Sequence, residues 1–137
     1  MFDVLDISTT GLTAQRQRMT AISNNIANME TTRSGLDAAG RPVPYRRRTT
    51  LFAPKSPFRD QFEGVRARHI QDRRPFNEVY RPDHPDADPE TGKLKMPNVN
   101  IIDEYVDAMT ASRSYEANVQ AMNITKAMIR ASIGILA

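Results

Sequence analysis

The sequence predicts a mainly α protein with a small β-rich insert: two long terminal helices paired in a coiled-coil-like arrangement, joined by an irregular or β-hairpin middle segment. Three observations carry this reading. All 9 prolines fall in residues 33–97, and of the 6 glycines only Gly11 and Gly134 lie outside that stretch. Proline lacks the N–H that a helix interior needs and its ring clashes with the preceding turn, so long helices are confined to the two ends. Both ends, in turn, repeat apolar side chains at helical intervals. The chain therefore divides into residues 1–32 as an N-terminal helix, residues 33–97 as a Pro/Arg-rich β and loop insert with its linker, and residues 98–137 as a C-terminal helix.

In the first segment Leu5, Leu12, Met19 and Ile26 recur every seven residues, joined by Ile22 and Met29. That spacing draws one narrow apolar stripe along a helix, with Gln15, Arg16, Arg18 and Asn24 beside or opposite it. Ser8-Thr9-Thr10-Gly11 is a weak stretch, because glycine and hydroxyl side chains favour other conformations, so the helix is expected to begin after it. The polar run from Asn28 to Ser34, followed by Gly35, ends it.

The middle segment carries 14 Lys/Arg against 9 Asp/Glu. Val43–Phe52 and Glu63–Gln71 read as short strands, the first with Tyr45 and Leu51 on one alternating face. Pro54, Pro57, Pro75, Pro82, Pro85 and Pro89 cut the remainder into loops, which leaves one small hairpin as the expectation.

The last segment has the stronger pattern. Ile101, Tyr105, Ala108, Tyr115, Val119, Met122, Ile129, Ile133 and Leu136 follow i, i+4, i+7 spacing, broken only by Ser112 and Lys126. Pro97 precedes it, Asn98 or Asn100 can cap it, and Asp103 and Glu104 suit the positive end of its dipole. Some 35 residues of helix extend ~50 Å, whereas a compact globule of this chain length is under ~40 Å across. Such a helix needs another surface for its stripe, and the N-terminal helix supplies one. Val106, Met109, Ile124 and Met128 remain to the side of that pairing, placed to meet other chains.

Composition excludes several function classes. The net charge of +3 and pI near 9.5 are too mildly basic to require a nucleic-acid or anionic-membrane partner. The absence of cysteine removes disulfides, thiolate metal sites and thiol nucleophiles. No apolar run approaches the roughly 20 residues that span a bilayer. The N-terminal stretch, with Asp3 and Asp6 and no apolar core, is not expected to act as a cleavable signal peptide. An apolar content of 39% with a mean hydropathy of −0.55 is lean for a packed enzyme.

Asp86, Asp88 and Glu90 before Gly92 suggest a calcium loop, but Thr91 and Pro97 stand where an EF-hand needs glycine and an acid, so a solvated acidic turn is the better reading. His84 beside Asp83 and Asp86, or His69 alone, has no partnered nucleophile. No catalytic, cofactor or metal site is therefore expected. Arg46-Arg47-Arg48 with Arg41, Arg66, Arg68, Arg73 and Arg74, together with Tyr45 and Phe52 as stacking rings, makes a nucleic-acid-binding module the alternative function. Interleaved Asp60, Glu63, Asp72 and Glu78 argue for ion pairs instead. A membrane-surface role ranks last, since the C-terminal helix has only Arg113, Lys126 and Arg130 to attract anionic lipid. Met19, Met29, Met109, Met122 and Met128 suit imperfect packing contacts. Asn24, Asn25 and Asn28 on one helix and Asn118 and Asn123 on the other could bond across helices and fix their register, and surface polarity accounts for them equally well.

These residues also resemble a known family. Gly11-Leu12-Thr13-Ala14-Gln15, Ser23-Asn24-Asn25-Ile26-Ala27-Asn28 and Thr31-Thr32 are similar to the N-terminal signature of the axial proteins of the bacterial flagellum, shared by rod, hook and hook-associated proteins. Pro97-Asn98-Val99-Asn100, the run Ser112-Arg113-Ser114-Tyr115-Glu116-Ala117-Asn118-Val119 and the linker His84-Pro85-Asp86-Ala87-Asp88 resemble basal-body rod members in particular. Residues 36–80 carry no matching motif, and Pro89–Met96 is more charged than the Gly-Tyr type of linker associated with the family.

The resemblance implies a structural subunit of the proximal rod that polymerises through its terminal helices, residues 1–32 and 98–137 forming an axial core, to make drive shaft and export channel. It implies as partners other copies of the chain, other rod proteins and the flagellar type III export apparatus, with no nucleic acid and no membrane span. It places the protein in the periplasmic rod of the basal body, exported without a cleavable signal peptide. The motifs assign no roles to single residues; their chemistry suggests an assembly interface. Leu12, Ile26, Ala27, Tyr115 and Val119 suit an apolar seam with Met122 as a packing residue. Asn24, Asn25, Asn28, Asn98 and Asn100 suit caps or interchain bonds, Asn118 a bond across helices, and Arg113 an interchain ion pair. Helices whose stripes lack their neighbours are marginal alone, so the isolated chain should exchange its terminal helical amides rapidly. Hydrogen exchange checks this, and fully protected terminal amides in a monomer would refute it.

Overall fold

The computed structural model describes residues 2–38, 40–55 and 64–136. The first helix, α1, spans Phe2–Ala27, and the last, α2, spans Ile101–Leu136. α1 runs straight through Ser8–Gly11, which corrects the expected later start. The hydroxyls that would compete with helix bonding are absorbed inside it: Thr9 Oγ1 donates to the Leu5 carbonyl at 2.8 Å and Thr10 Oγ1 to that of Ile7 at 2.7 Å. Beyond Ala27 the chain tightens, with Asn28 N and Nδ2 both on the Asn24 carbonyl and Thr31 N on that of Asn28. At the other end of the insert, Asn100 Oδ1 accepts from Ile102 N at 3.0 Å, so Asn100 is the N-cap of α2. At ~1.5 Å per residue, its 36 residues reach about 54 Å.

Among the described residues the middle holds three two-stranded sheets rather than one hairpin. β1 (Gly35–Leu36) pairs antiparallel with β2 (Pro42–Val43). The turn between them is held by Asp37, whose Oδ1 accepts from Arg41 N at 2.9 Å. β3 (Arg48–Pro54) pairs with β4 (Val65–Gln71). β5 (Asn77–Tyr80) pairs antiparallel with β6 (Lys93–Met96), in register from Asn77↔Met96 to Tyr80↔Lys93. The expected second strand matches β4, with Glu63 outside the described residues. The expected first strand starts only at Arg48, and its two marker residues do not share a face: Tyr45 is buried, while Leu51 is half exposed. β1, β2, β5 and β6 escape the pattern because two of them are two residues long and proline at a strand start or edge mimics a breaker.

Two units result, one from residues 1–20, 50–68 and 107–137, the other from residues 21–49 and 69–106. In the first, Ala14 and Ala111 are buried, Arg18 Nη2 lies 3.1 Å from Asp107 Oδ1, and Gly11 approaches the Asn118 amide. Val65 N donates to Thr10 Oγ1 at 3.0 Å, and Gly64 beside it has φ +94° with no room for a Cβ against Thr10. In the second, the apolar side chains of Ala21, Ile22, Tyr45 and Leu94 are buried, and so are the polar ones of Asn25 and Glu104.

The buried line of α1 is thus Ala14, Ala21, Ile22 and Asn25, not the expected stripe. Of that stripe only Ile22 is buried, and Leu5, Leu12, Met19, Ile26 and Met29 flank it half-buried. On α2 the expected Ala108, Tyr115, Val119, Met122 and Ile129 are half-buried, whereas Ile101, Tyr105 and Ile133 are exposed and the Leu136 side chain lies outside the described residues. Small side chains allow close backbone approach, so the bulky ones move to the flanks.

Asp86 ties the linker to the chain after α1. Its Oδ2 accepts from Thr32 Oγ1 at 2.8 Å, and its Oδ1 pairs with the Arg33 guanidinium. The Thr32 hydroxyl first, and Arg33 next, hold this carboxyl below its ordinary value. A carboxylate with a lowered native pKa stabilises fully above the unfolded value, about 3.9, and loses that contribution as pH falls through the native one. Asp86→Asn should therefore have a lower urea midpoint than the parent at pH 7, with the difference closing only in strong acid.

Candidate assembly interface

Asn25 sits on the last turns of α1, where Ala21 and Ile22 turn the helix inward, and only 1% of it is exposed. A buried amide costs free energy unless every donor and acceptor is met. Here all are met. Nδ2 donates to the Arg48 carbonyl at 2.8 Å and to Glu104 Oε2 at 3.0 Å, while Oδ1 accepts from Arg48 N at 2.8 Å and from the Tyr45 hydroxyl at 3.0 Å. With Arg48, at the first residue of β3, the side-chain amide exchanges both bonds as a neighbouring strand would.

Glu104, with no exposed surface, completes the group by accepting from Arg47 Nε at 2.5 Å through its other oxygen. A carboxylate can be buried in this way only when paired and hydrogen-bonded. Burial raises the Tyr45 phenol above its usual value, against the pull of the Arg48 cation and with a smaller push from the Glu104 carboxylate. The hydroxyl accordingly stays protonated and donates to Asn25 at any physiological pH.

The residues expected at an interface are spread unevenly. Asn25 is buried; Leu12, Ile26, Asn28, Asn98, Tyr115, Asn118, Val119 and Met122 are half-buried; Asn24, Ala27, Asn100 and Arg113 are exposed. Asn98 Nδ2 reaches the Pro75 carbonyl at 3.4 Å, and Asn28 closes the α1 terminus through Asn24 and Thr31. Arg113 has no ion pair among the described residues. Val106, Met109, Ile124 and Met128 are each more than half exposed, as expected for the flank of α2. Tyr45, Arg47 and Glu104 were not foreseen as partners of Asn25. The available signal was spacing, since Ala14, Ala21 and Asn25 on one helix and Glu104 and Ala111 on the other keep seven- and four-residue intervals.

Many insert arginines are engaged inside the chain. Arg47 holds Glu104, Arg41 pairs with Asp37, Arg74 pairs with Asp72, and Arg33 pairs with Asp86. Arg46 lies 4.4 Å over the Phe76 ring and donates to the Asp72 carbonyl. Arg66, Arg68 and Arg73 are exposed. His84 Nδ1 accepts from Asp86 N at 3.1 Å, and the Asp88 carboxylate accepts from Thr91 Oγ1 and Glu90 N, so both belong to turns. Among the described residues no helix is long and apolar enough to cross a membrane.

Comparison with known proteins points one way. Residues 5–33 match the family described as "Flagella basal body rod protein", and residues 90–135 match "Flagellar basal body rod FlgEFG protein C-terminal". Relatives named flagellar basal-body rod protein FlgC include one from Borreliella burgdorferi, 40% identical over 99% of this chain and 97% of the relative. The one from Bacillus subtilis is 42% identical over 98% and 97%, and that from Salmonella typhimurium is 35% identical over 94% and 92%.

Replacing Asn25 removes the bonds it makes to the Tyr45 hydroxyl, the Arg48 N–H and carbonyl, and Glu104 Oε2 in a buried site. Asn25→Ala is expected to cost about 3 kcal/mol, and Tyr45→Phe, which removes one bond, about 1 kcal/mol, read from urea unfolding monitored by far-UV circular dichroism.

Proposed function

The chain belongs to the FlgC family of flagellar basal-body rod proteins, and from that premise we propose how its helices and insert serve a rod. It is a structural subunit of the flagellar basal body, assembling with other rod proteins, and not an enzyme. The observation that carries this conclusion is the near end-to-end match to relatives of that one name.

The finer reading is as follows. Residues 1–32 and 98–137 form an axial core in which α1 and α2 pair in a coiled-coil-like manner, and residues 33–97 form an insert outside it. Gly11 against Asn118 and Arg18 against Asp107 in one unit, and Asn25 against Glu104 in the other, support antiparallel pairing. Polymerisation uses the surfaces that this pairing leaves open, and the exposed apolar flank of α2 supports it. Leu12, Ile26, Ala27, Tyr115, Val119 and Met122 lie at or beside those surfaces, and Arg113 serves as an interchain ion-pair partner. A polymer that does not close must join unlike patches, so neighbouring copies are related by heterologous contacts. The assembled chain lies in the proximal, periplasmic part of the rod, contributing to drive shaft and export channel. It reaches that place through the flagellar type III export apparatus without a cleavable signal. Engagement of the insert arginines by in-chain acids weighs against the nucleic-acid alternative.

Deletion of the gene, followed by electron microscopy of isolated basal bodies, tests this reading. Loss of rod and filament with the membrane ring retained is expected; intact, motile flagella would overturn it.

A further inference from the structure

Heterologous assembly needs two unlike surfaces on one chain that fit each other, and two such surfaces are present. The first is a groove of about 220 Å³ in the second unit, lined among others by Met29, Glu30, Val79, Met96, Val99 and Ile101. Its walls are mainly apolar, and Glu30 is the one charged residue in them. Val79 and Ile101 remain 38% and 37% exposed, so the described residues do not fill the groove. Two methionine side chains let such walls adapt to an incoming group.

The second surface is the end of α2. Ile133, 58% exposed, shares a helix face with Arg130 and Lys126, three and seven residues before it. From Ala117 to the end of the chain these two cations are the only charged residues. Neither has an ion pair among the described residues, and the same holds for Glu30. An apolar knob beside a cation thus answers an apolar groove beside an anion.

We infer that the groove seats the Ile133 end of α2 from a second copy of this chain, with Arg130 of that copy meeting Glu30. The inference rests on the rod-subunit reading, which supplies the second copy. A contact of this size buries far less than the roughly 1,200 Å² of a stable complex, so it forms within the assembled rod and not between free monomers. A larger cleft lined by Thr32, Asp37, Arg41 and Asp86 offers no such seat, because its carboxylates already hold Thr32, Arg33 and Arg41.

The chain has no cysteine, so a pair of introduced cysteines reports this contact alone. Val79→Cys combined with Ile133→Cys, in a chain replacing the native protein, should give on oxidation of purified basal bodies a ladder at multiples of 15.4 kDa, and each single variant only monomer. Monomer alone from basal bodies that contain the double variant would overturn the inference, as would a cross-link to a chain of another mass. Charge reversal keeps the question decidable if the cysteine pair does not assemble. Glu30→Arg and Arg130→Glu should each reduce swimming several-fold and together restore it, whereas native swimming by either single variant, or no restoration, counts against the pairing. If deletion of the gene removes the rod and both arms fail, this contact alone is wrong; if deletion leaves the rod intact, the rod reading itself falls.

Discussion

A single buried amide governs the geometry of the second unit. The Asn25 side chain has two N–H donors and one carbonyl oxygen, and all of that capacity is used on two segments far apart in sequence: Tyr45 with the backbone of Arg48 in one, and Glu104 in the other. Desolvation makes the arrangement nearly all-or-none, because any one missing partner leaves a buried polar group unsatisfied. Hence β3 begins at Arg48 and Tyr45 turns inward. For the same reason Glu104, one turn into α2, is tolerated with no exposed surface, Arg47 neutralising the oxygen that Asn25 does not bond.

In the first unit the controlling constraint is steric. Among the described residues Ala14 and Ala111 are the buried ones there, and Gly11 comes close to Asn118. A seam of small side chains buries little apolar area, so it contributes modestly to stability, and it displaces the bulky residues outward. Met109, Ile124 and Met128 consequently stand more than half exposed on α2. For a protein that must function alone this distribution would be a liability. A rod subunit works in an assembly with other rod proteins, where exposed apolar side chains are less of a liability.

The insert follows a third logic. It has little apolar core, and its order comes from short sheets and charged pairs: Arg41 with Asp37, Arg74 with Asp72, Arg33 with Asp86, and Lys93 with Glu78. Arg74 holds the Asp72 carboxyl below its ordinary value, and Thr91 does the same for Asp88. Exposed pairs of this kind contribute little individually. Their value is in fixing turns, as when Asp37 closes β1 onto β2 or Asp72 N–H bonds back to the Arg47 carbonyl. An arginine-rich composition thus describes a scaffold of ion pairs more than a track for phosphate.

The placement of prolines and the helical spacing at both ends were enough, from sequence alone, to determine two long terminal helices around an irregular insert, because both are local properties of the backbone. Motifs at the two ends likewise identified the axial family, and the asparagines stood out as candidates. Which face of each helix is buried was decided only by the tertiary structure. Periodicity ranks residues by hydropathy, whereas close packing selects by size, so Ala14, Ala21 and Ala111 displaced Leu12, Met19 and Ile26 from the buried line. The union of Asn25 with Tyr45, Arg48 and Glu104 was equally illegible, since no local pattern links residues twenty to eighty positions apart. Long-range polar partners are chosen by the fold, because only there does the loss of water make an unpaired group intolerable.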